Sequence, residues 1–164
     1  MKIEIPEGKQ ILVFTGPESS GKTTAAERLS TEYNLPLVHE YAREHLEKKG
    51  PEYTFDDLIF IANTQVDLEK NAYNNHDLIL CDTDLLTIRI WASDKFQKEL
   101  NLVDFLQEHK HYLLCLPDIP WENDPLRENP TDRDRLFHIY ETELKKMNAS
   151  YTIVEQDARN QLRF

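Results

Sequence analysis

Cysteine is nearly absent from this sequence: Cys81 and Cys115 are the only two in 164 residues. Two thiols make neither a disulfide framework nor a zinc site. Both stand among apolar neighbours, so buried free thiols in a reducing cytoplasm are expected. No apolar run approaches the ~20 residues that a membrane-spanning helix needs. Met1-Lys2-Ile3-Glu4-Ile5-Pro6 lacks the pattern of a secretory leader. Positive charge is scarce, with 19 Lys and Arg against 30 Asp and Glu and a net charge of −11. A surface of that sign argues against nucleic acid and anionic membrane as partners. Internal repeats and low-complexity tracts are also missing. Residues 1–164 are expected to form one globular domain.

Glycine is confined to four positions, and two of them fall in one octapeptide. Gly16-Pro17-Glu18-Ser19-Ser20-Gly21-Lys22-Thr23 fits G-x-x-x-x-G-K-[ST], the phosphate-binding P-loop. The flanks fit as well. Gln10 to Thr15 is a short apolar run suited to a buried parallel strand. Thr24 to Ser30 holds good helix formers and no breaker. The glycines let successive N–H groups turn inward onto phosphate oxygens, and the helix beginning near Lys22 adds its positive dipole end. Gly16, Glu18, Ser19, Ser20, Gly21, Lys22, Thr23 and Thr24 are the expected ATP-binding positions. Lys22 is assigned to the β- and γ-phosphates and the Thr23 hydroxyl to Mg²⁺.

The remaining chain alternates strands and helices. Leu35–Val38 reads as a second strand, followed by a helix that Gly50-Pro51 stops. Thr54 and Asp57 suit a capping box for a helix running to about Asn74. Its apolar face collects Leu58, Ile61, Ala62, Leu68 and Ala72. Gln65 lies on the same stripe, either satisfied in the core or aimed into a cleft. Asp77–Asp82 is the third strand, and Thr83-Asp84 opens a helix carrying Leu85, Ile88, Ala92 and Phe96 on one face. A short helix over 101–110 and a fourth strand over 111–116 follow. Residues 117–130 hold four of the eight prolines, which excludes regular helix and central strand. Thr131 is the expected cap of the next helix, and Tyr151–Glu155 the fifth strand. This predicts an α/β, three-layer P-loop NTPase fold. Its five-stranded, mostly parallel sheet has order 2-3-1-4-5, helices on both faces and a small lid over about 117–135.

In such sheets ligands sit at the carboxyl ends of the strands. Asp82 ends the third strand as a Walker B carboxylate would, holding Mg²⁺, or else as a cap for the helix after it. Asp84 is better placed to cap, which leaves Asp82 free. Glu40 ends the second strand on the acceptor side, where a carboxylate could take a proton from an attacking hydroxyl. Arg43 could hold its partner groups, though both also read as a solvated pair at a helix start. Arg127 and Arg133 suit charge stabilisation of a transferring phosphoryl group. Surface pairing with Glu128, Asp132 and Asp134 is the plainer account of them. Trp91 reads as core or as a flat platform, and Trp121 fits a core less well.

Taken together, these residues resemble one family. The P-loop, Glu40-Tyr41-Ala42-Arg43-Glu44, Cys81-Asp82-Thr83-Asp84 and Trp121-Glu122-Asn123-Asp124-Pro125-Leu126-Arg127 follow the order and spacing of the ribosylnicotinamide kinase domain of NadR-type proteins. The likeness covers nearly the whole chain. It implies ATP- and Mg²⁺-dependent phosphorylation of the 5′-hydroxyl of nicotinamide riboside, giving nicotinamide mononucleotide for NAD biosynthesis. It implies catalytic roles for Lys22, Glu40, Asp82, Arg127 and Arg133. The expected substrate contacts are Glu40, Tyr41, Arg43, Gln65, Asp84 and Trp91. Which of Glu40 and Asp82 serves the acceptor stays open. His39 stands where the family commonly has an aromatic. No counterpart of the family's adenylyltransferase or helix-turn-helix domain is found, so dinucleotide synthesis and repression are not expected.

Two other readings remain: a P-loop kinase with another acceptor, and a non-catalytic nucleotide-binding regulatory module. The absence of N-K-x-D argues against a GTPase. The expected partner is a small-molecule nucleoside, with monomer and homo-oligomer both open.

Overall fold

The computed structural model describes residues 1–164. Five strands form one sheet: β1 (Ile11–Thr15), β2 (Leu37–Val38), β3 (Ile79–Asp82), β4 (Lys110–Cys115) and β5 (Ser150–Val154). Their order is β2-β3-β1-β4-β5 and every pairing is parallel. Six helices connect them: α1 (Lys22–Tyr33), α2 (Tyr41–Lys49), α3 (Phe55–Asn75), α4 (Leu85–Phe96), α5 (Arg133–Lys146) and α6 (Gln156–Asn160).

Strand alternation divides the core. Ile11, Val13, Ile79, Cys81, Tyr112 and Leu114 face α4 and α5, where Leu86, Ile90, Phe137, Tyr140 and Leu144 cover them. Leu12, Phe14, Leu80, Leu113 and Cys115 face the other way, onto Ala25, Ala26 and Leu29 of α1. A third cluster joins α2 and α3 to the outer side of α4 through Ala42, Leu58, Ile61, Ala62, Leu85 and Ile88. The sheet is therefore covered on both faces, as its continuous apolar strands require. Both cysteines are buried and free. No helix is long and apolar enough to cross a membrane.

Several local expectations change. β2 keeps only Leu37–Val38, because the Leu35 N–H is spent on Ser30 O at the end of α1. Leu68 is 42 % exposed; Glu69, its neighbour, takes the buried position on α3. The helix expected over 101–110 is only a 3₁₀ turn at Gln107–His109. Asp104 bends this segment by accepting from Leu106 N and Lys110 Nζ. Lys110, not His111, opens β4. The residue before α5 is Asp132 rather than Thr131, and it makes no capping bond, its carboxylate being held by Arg135. The capping box at Thr54 and Asp57 does form.

Candidate active site

The P-loop, Glu40 and the segment beginning at Pro117 emerge at the carboxyl ends of the strands and line one cleft, while Asp82, at the end of β3, is buried and reaches Thr23 of the loop. The loop's shape depends on two glycines. Gly16 has φ 132°, and a Cβ there would stand 2.7 Å from Cys115 O of β4. Gly21, at φ 77°, is the residue before α1. Ser20 Oγ donates to Pro17 O at 2.7 Å and Lys22 Nζ donates to the same carbonyl at 2.6 Å, closing the loop on itself.

Thr23 Oγ1 donates to Asp82 Oδ2 at 2.6 Å. Asp82 Oδ1 is buried and has no partner. A hydroxyl beside a carboxylate with a spare oxygen is the donor set a divalent cation takes from this kind of loop. No group of three or more acidic, His or Cys side chains stands ready to hold a metal. A Mg²⁺ ion here would rely on Thr23 and Asp82, with phosphate and water filling its other positions.

Thr83 has φ 66°, a costly conformation for a β-branched residue. It separates two acids with different surroundings. Asp82 meets Thr23 of the P-loop. Asp84 is fully buried away from the cleft, caps α4 through Leu86 N, and accepts from Lys110 Nζ and Tyr112 Oη. Asp84, expected as a substrate contact, does not line the cleft. Lys110 also reaches Glu69 and Asp104, at 2.9 and 2.7 Å. Burial opposes its charge, but Asp84 and Glu69 outweigh that and raise its pKa well above the ordinary lysine value. Burial, foremost, and the Asp84 charge push Glu69 up to about 7, against the pull of Lys110. A lysine beginning a buried strand was the available signal for this cluster.

Glu40 lines the cleft half-buried, and its carboxylate makes no capping bond to α2. Enclosure in the cleft and the neighbouring Asp82 charge push its pKa up to about 7, although Lys22 and Arg43 pull it down. Arg43 lines the same wall and pairs with Asp124 at 3.0 Å. Trp91 adds a flat side to the cleft. Tyr41 instead packs toward His45 and Phe60, outside it. Gln65 is 1 % exposed. Its amide bonds Tyr41 N and His39 O, and Gln65, expected as a substrate contact, does not line the cleft.

The lid lies against the P-loop. Glu18, expected to contact nucleotide, sends its carboxylate to the lid and accepts from Glu128 N and Asn129 N at 3.0 and 3.2 Å. Ser19 Oγ accepts from Glu122 N at 3.1 Å. Arg133 Nη1 donates to Ser19 O and Ile119 O, both at 2.9 Å, and its guanidinium lies 5.7 Å from the Trp121 ring centre. Arg133 thus fastens lid to loop. Arg127 lines the cleft and donates to Glu122 O. Arg135 is exposed and pairs with Asp94 and Asp132.

A family model described as "AAA domain" matches residues 11–161. No curated protein matches the chain. Among solved structures, the NadR protein in complex with NR superposes with a TM-score of 0.65 at 19 % identity, covering 89 % of this chain and 45 % of that one. NadR in complex with NAD and AMP-PNP gives 0.65 and 19 %, over 91 % and 45 %. The chain thus spans about half the length of these NadR chains. Deoxyadenosine kinase from M. mycoides, with product dCMP and a flexible dCDP bound, gives 0.57 and 15 %, over 91 % of each chain. The shared feature is the fold, that of P-loop kinases.

Proposed function

The chain belongs to the AAA domain family, and from that premise we propose that it is an ATP-dependent small-molecule kinase acting on the 5′-hydroxyl of nicotinamide riboside. The observation that carries the reading is a pairing across one cleft. A phosphate-binding loop stands on one side, and on the other stands Glu40, a carboxylate with its pKa pushed up to about 7. A regulatory nucleotide module needs the loop and has no use for such a base.

The roles follow from position. Amides of Gly16 to Thr24 cradle the phosphates of ATP, and Lys22 leaves Pro17 O to neutralise the β- and γ-phosphates. Thr23 and Asp82 hold Mg²⁺, which screens charge on the phosphates when bound. Glu40 accepts the proton of the acceptor hydroxyl, since a base titrating near the working pH combines availability with driving force. Arg127 lies on the lid face of the cleft, where positive charge stabilises the transferring phosphoryl group. Arg133 supports it by holding the lid to Ser19. Arg43 and Trp91 form the acceptor wall. The reading takes 1–164 as one domain with its lid over about 117–135.

Nicotinamide riboside as acceptor is supported by the motifs around Glu40 and Arg127 and by the fold shared with NadR. His39 is exposed and does not line the cleft, so its departure from an aromatic leaves the acceptor wall intact. The test is ADP release from Mg²⁺ and ATP across a nucleoside panel. A selective response to nicotinamide riboside is expected. A response to another nucleoside would keep the chemistry and move the substrate. ATP binding without turnover on any acceptor would overturn the kinase reading.

A further inference from the structure

Glu40 faces the cleft from the position that opens α2. It is the residue immediately before α2, with φ −65° and ψ 104°. The first N–H groups of a helix have no partner within the helix, and a short Ser, Thr, Asp or Asn side chain at this position commonly turns back to accept from the second or third of them. Glu40 does not. The first of those donors, Tyr41 N–H, is instead taken by Gln65 Oε1 of α3 at 2.9 Å. The other end of the same amide donates to His39 O at 3.3 Å. Gln65 therefore bonds the peptide groups on both sides of Glu40. Only one orientation of its amide satisfies both partners.

We infer that Gln65 is a positioning residue, which pins the peptide groups on both sides of Glu40 and so holds its carboxylate toward the cleft. The inference rests on the reading of Glu40 as the base under Proposed function. α3 is suited to the task. Its start is fixed by the capping box at Thr54 and Asp57. Gln65 stands seven residues after Leu58, on the stripe that packs Leu58, Ile61 and Ala62 between α2 and α4. The amide is thus held by a packed helix rather than by a loop, and each of its ends is engaged with backbone.

The consequence is readable in the titration of Glu40. The charged groups facing it are Asp82 of β3, Lys22 of α1, Arg43 of α2 and Glu18 of the P-loop, with the Tyr140 hydroxyl of α5 nearby. Without Gln65, the peptides flanking Glu40 lose their fixed orientation, and the carboxylate is free to swing back onto the N–H groups of α2. Hydrogen bonds to the charged form lower a carboxylate pKa, and the swing also takes it away from Asp82.

The experiment follows the Glu40 carboxyl by ¹³C NMR titration in the full chain, assigned with Glu40→Gln. The wild-type midpoint is expected near the raised value of about 7, and Gln65→Met should bring it toward the ordinary 4.5. Turnover should fall at least ~10-fold, with KM and Kd for ATP unchanged. In a Glu40→Gln background the same change should add nothing, because effects passing through one residue do not sum. Gln65→Asn, one methylene shorter, withdraws from both peptides and carries the same test should the Met variant fail to fold. An unmoved Glu40 midpoint in the folded variant would overturn the inference, as would an equal loss in the Glu40→Gln background. A wild-type chain that phosphorylates no nucleoside would remove the kinase reading, while a Gln65-dependent midpoint would still support the positioning.

Discussion

Thr23 and Asp82 join α1 to the end of β3 by one hydrogen bond of 2.6 Å, and this bond uses only one of the two carboxylate oxygens. The other is buried without a partner, an arrangement that costs stability unless something positive visits it. Asp82→Asn should therefore leave the fold intact and raise the Mg²⁺ concentration needed for half-maximal turnover by about 10-fold or more. A Mg²⁺ titration at fixed ATP reads this; an unchanged midpoint would remove Asp82 from the metal site.

Glu40 should set the acid side of the pH profile. Its raised pKa means that the carboxylate is protonated, and useless as a base, below about pH 7. The rate constant kcat/KM is expected to climb as pH rises through that value and then level off. Glu40→Gln should lower kcat by about 10²-fold or more and abolish the climb, with ATP affinity little changed.

The bonds from Glu18 to the backbone of Glu128 and Asn129 predict a lid that loosens when that carboxylate is removed. In Glu18→Ala the two amides should exchange with solvent about 10-fold faster or more, while exchange in β1 and β3 stays as it was. Hydrogen exchange resolved at 117–132 measures it. Equal exchange in both proteins would show that Ser19 and Arg133 hold the lid unaided.

Removing Lys110 should be among the most damaging changes outside the cleft. Its ammonium is wholly enclosed with Glu69, Asp84 and Asp104. Lys110→Met leaves acidic groups facing each other without a cation, and breaking a buried pair from one side costs about 3–5 kcal/mol. Denaturant unfolding should show the loss with nucleotide binding sites otherwise unaltered.

Glu69 adds a pH signature to stability. Burial raises its folded-state pKa to about 7, above the ordinary 4.5, so the folded chain holds the proton more tightly than the unfolded one. Its contribution is complete below about pH 4.5 and is lost as pH rises through about 7. Glu69→Gln cannot ionise and should flatten that part of the stability curve. A slope unchanged by the substitution would place the titration elsewhere.

Much of this architecture was legible in the chain, and for local reasons. The P-loop announces itself because its glycines are needed where no side chain fits, as Gly16 against Cys115 O illustrates. The parallel sheet follows from continuous apolar runs separated by helical periods, and the capping box from Thr54 and Asp57 alone. Glu40 just after β2 and Asp82 at the end of β3 fall where the strand assignments put them, since strand ends in such a sheet converge on one edge.

Other assignments needed the third dimension. Asp82 and Asp84 are two residues apart and alike in type, yet one meets the P-loop and the other a buried lysine. The left-handed turn at Thr83 and the arrival of Lys110 from β4 decide between them. Gln65 could equally have served core or cleft, until α3 set it against the peptides flanking Glu40. Glu18 sits inside a nucleotide motif but is turned toward a lid more than a hundred residues away in sequence. The sequence by itself determined the alternation of strands and helices and the place of the P-loop, because those depend on local backbone chemistry and hydrophobic period. Only the tertiary structure decided what each acid faces, since burial and the charge of distant neighbours are properties of packing and not of any stretch of chain.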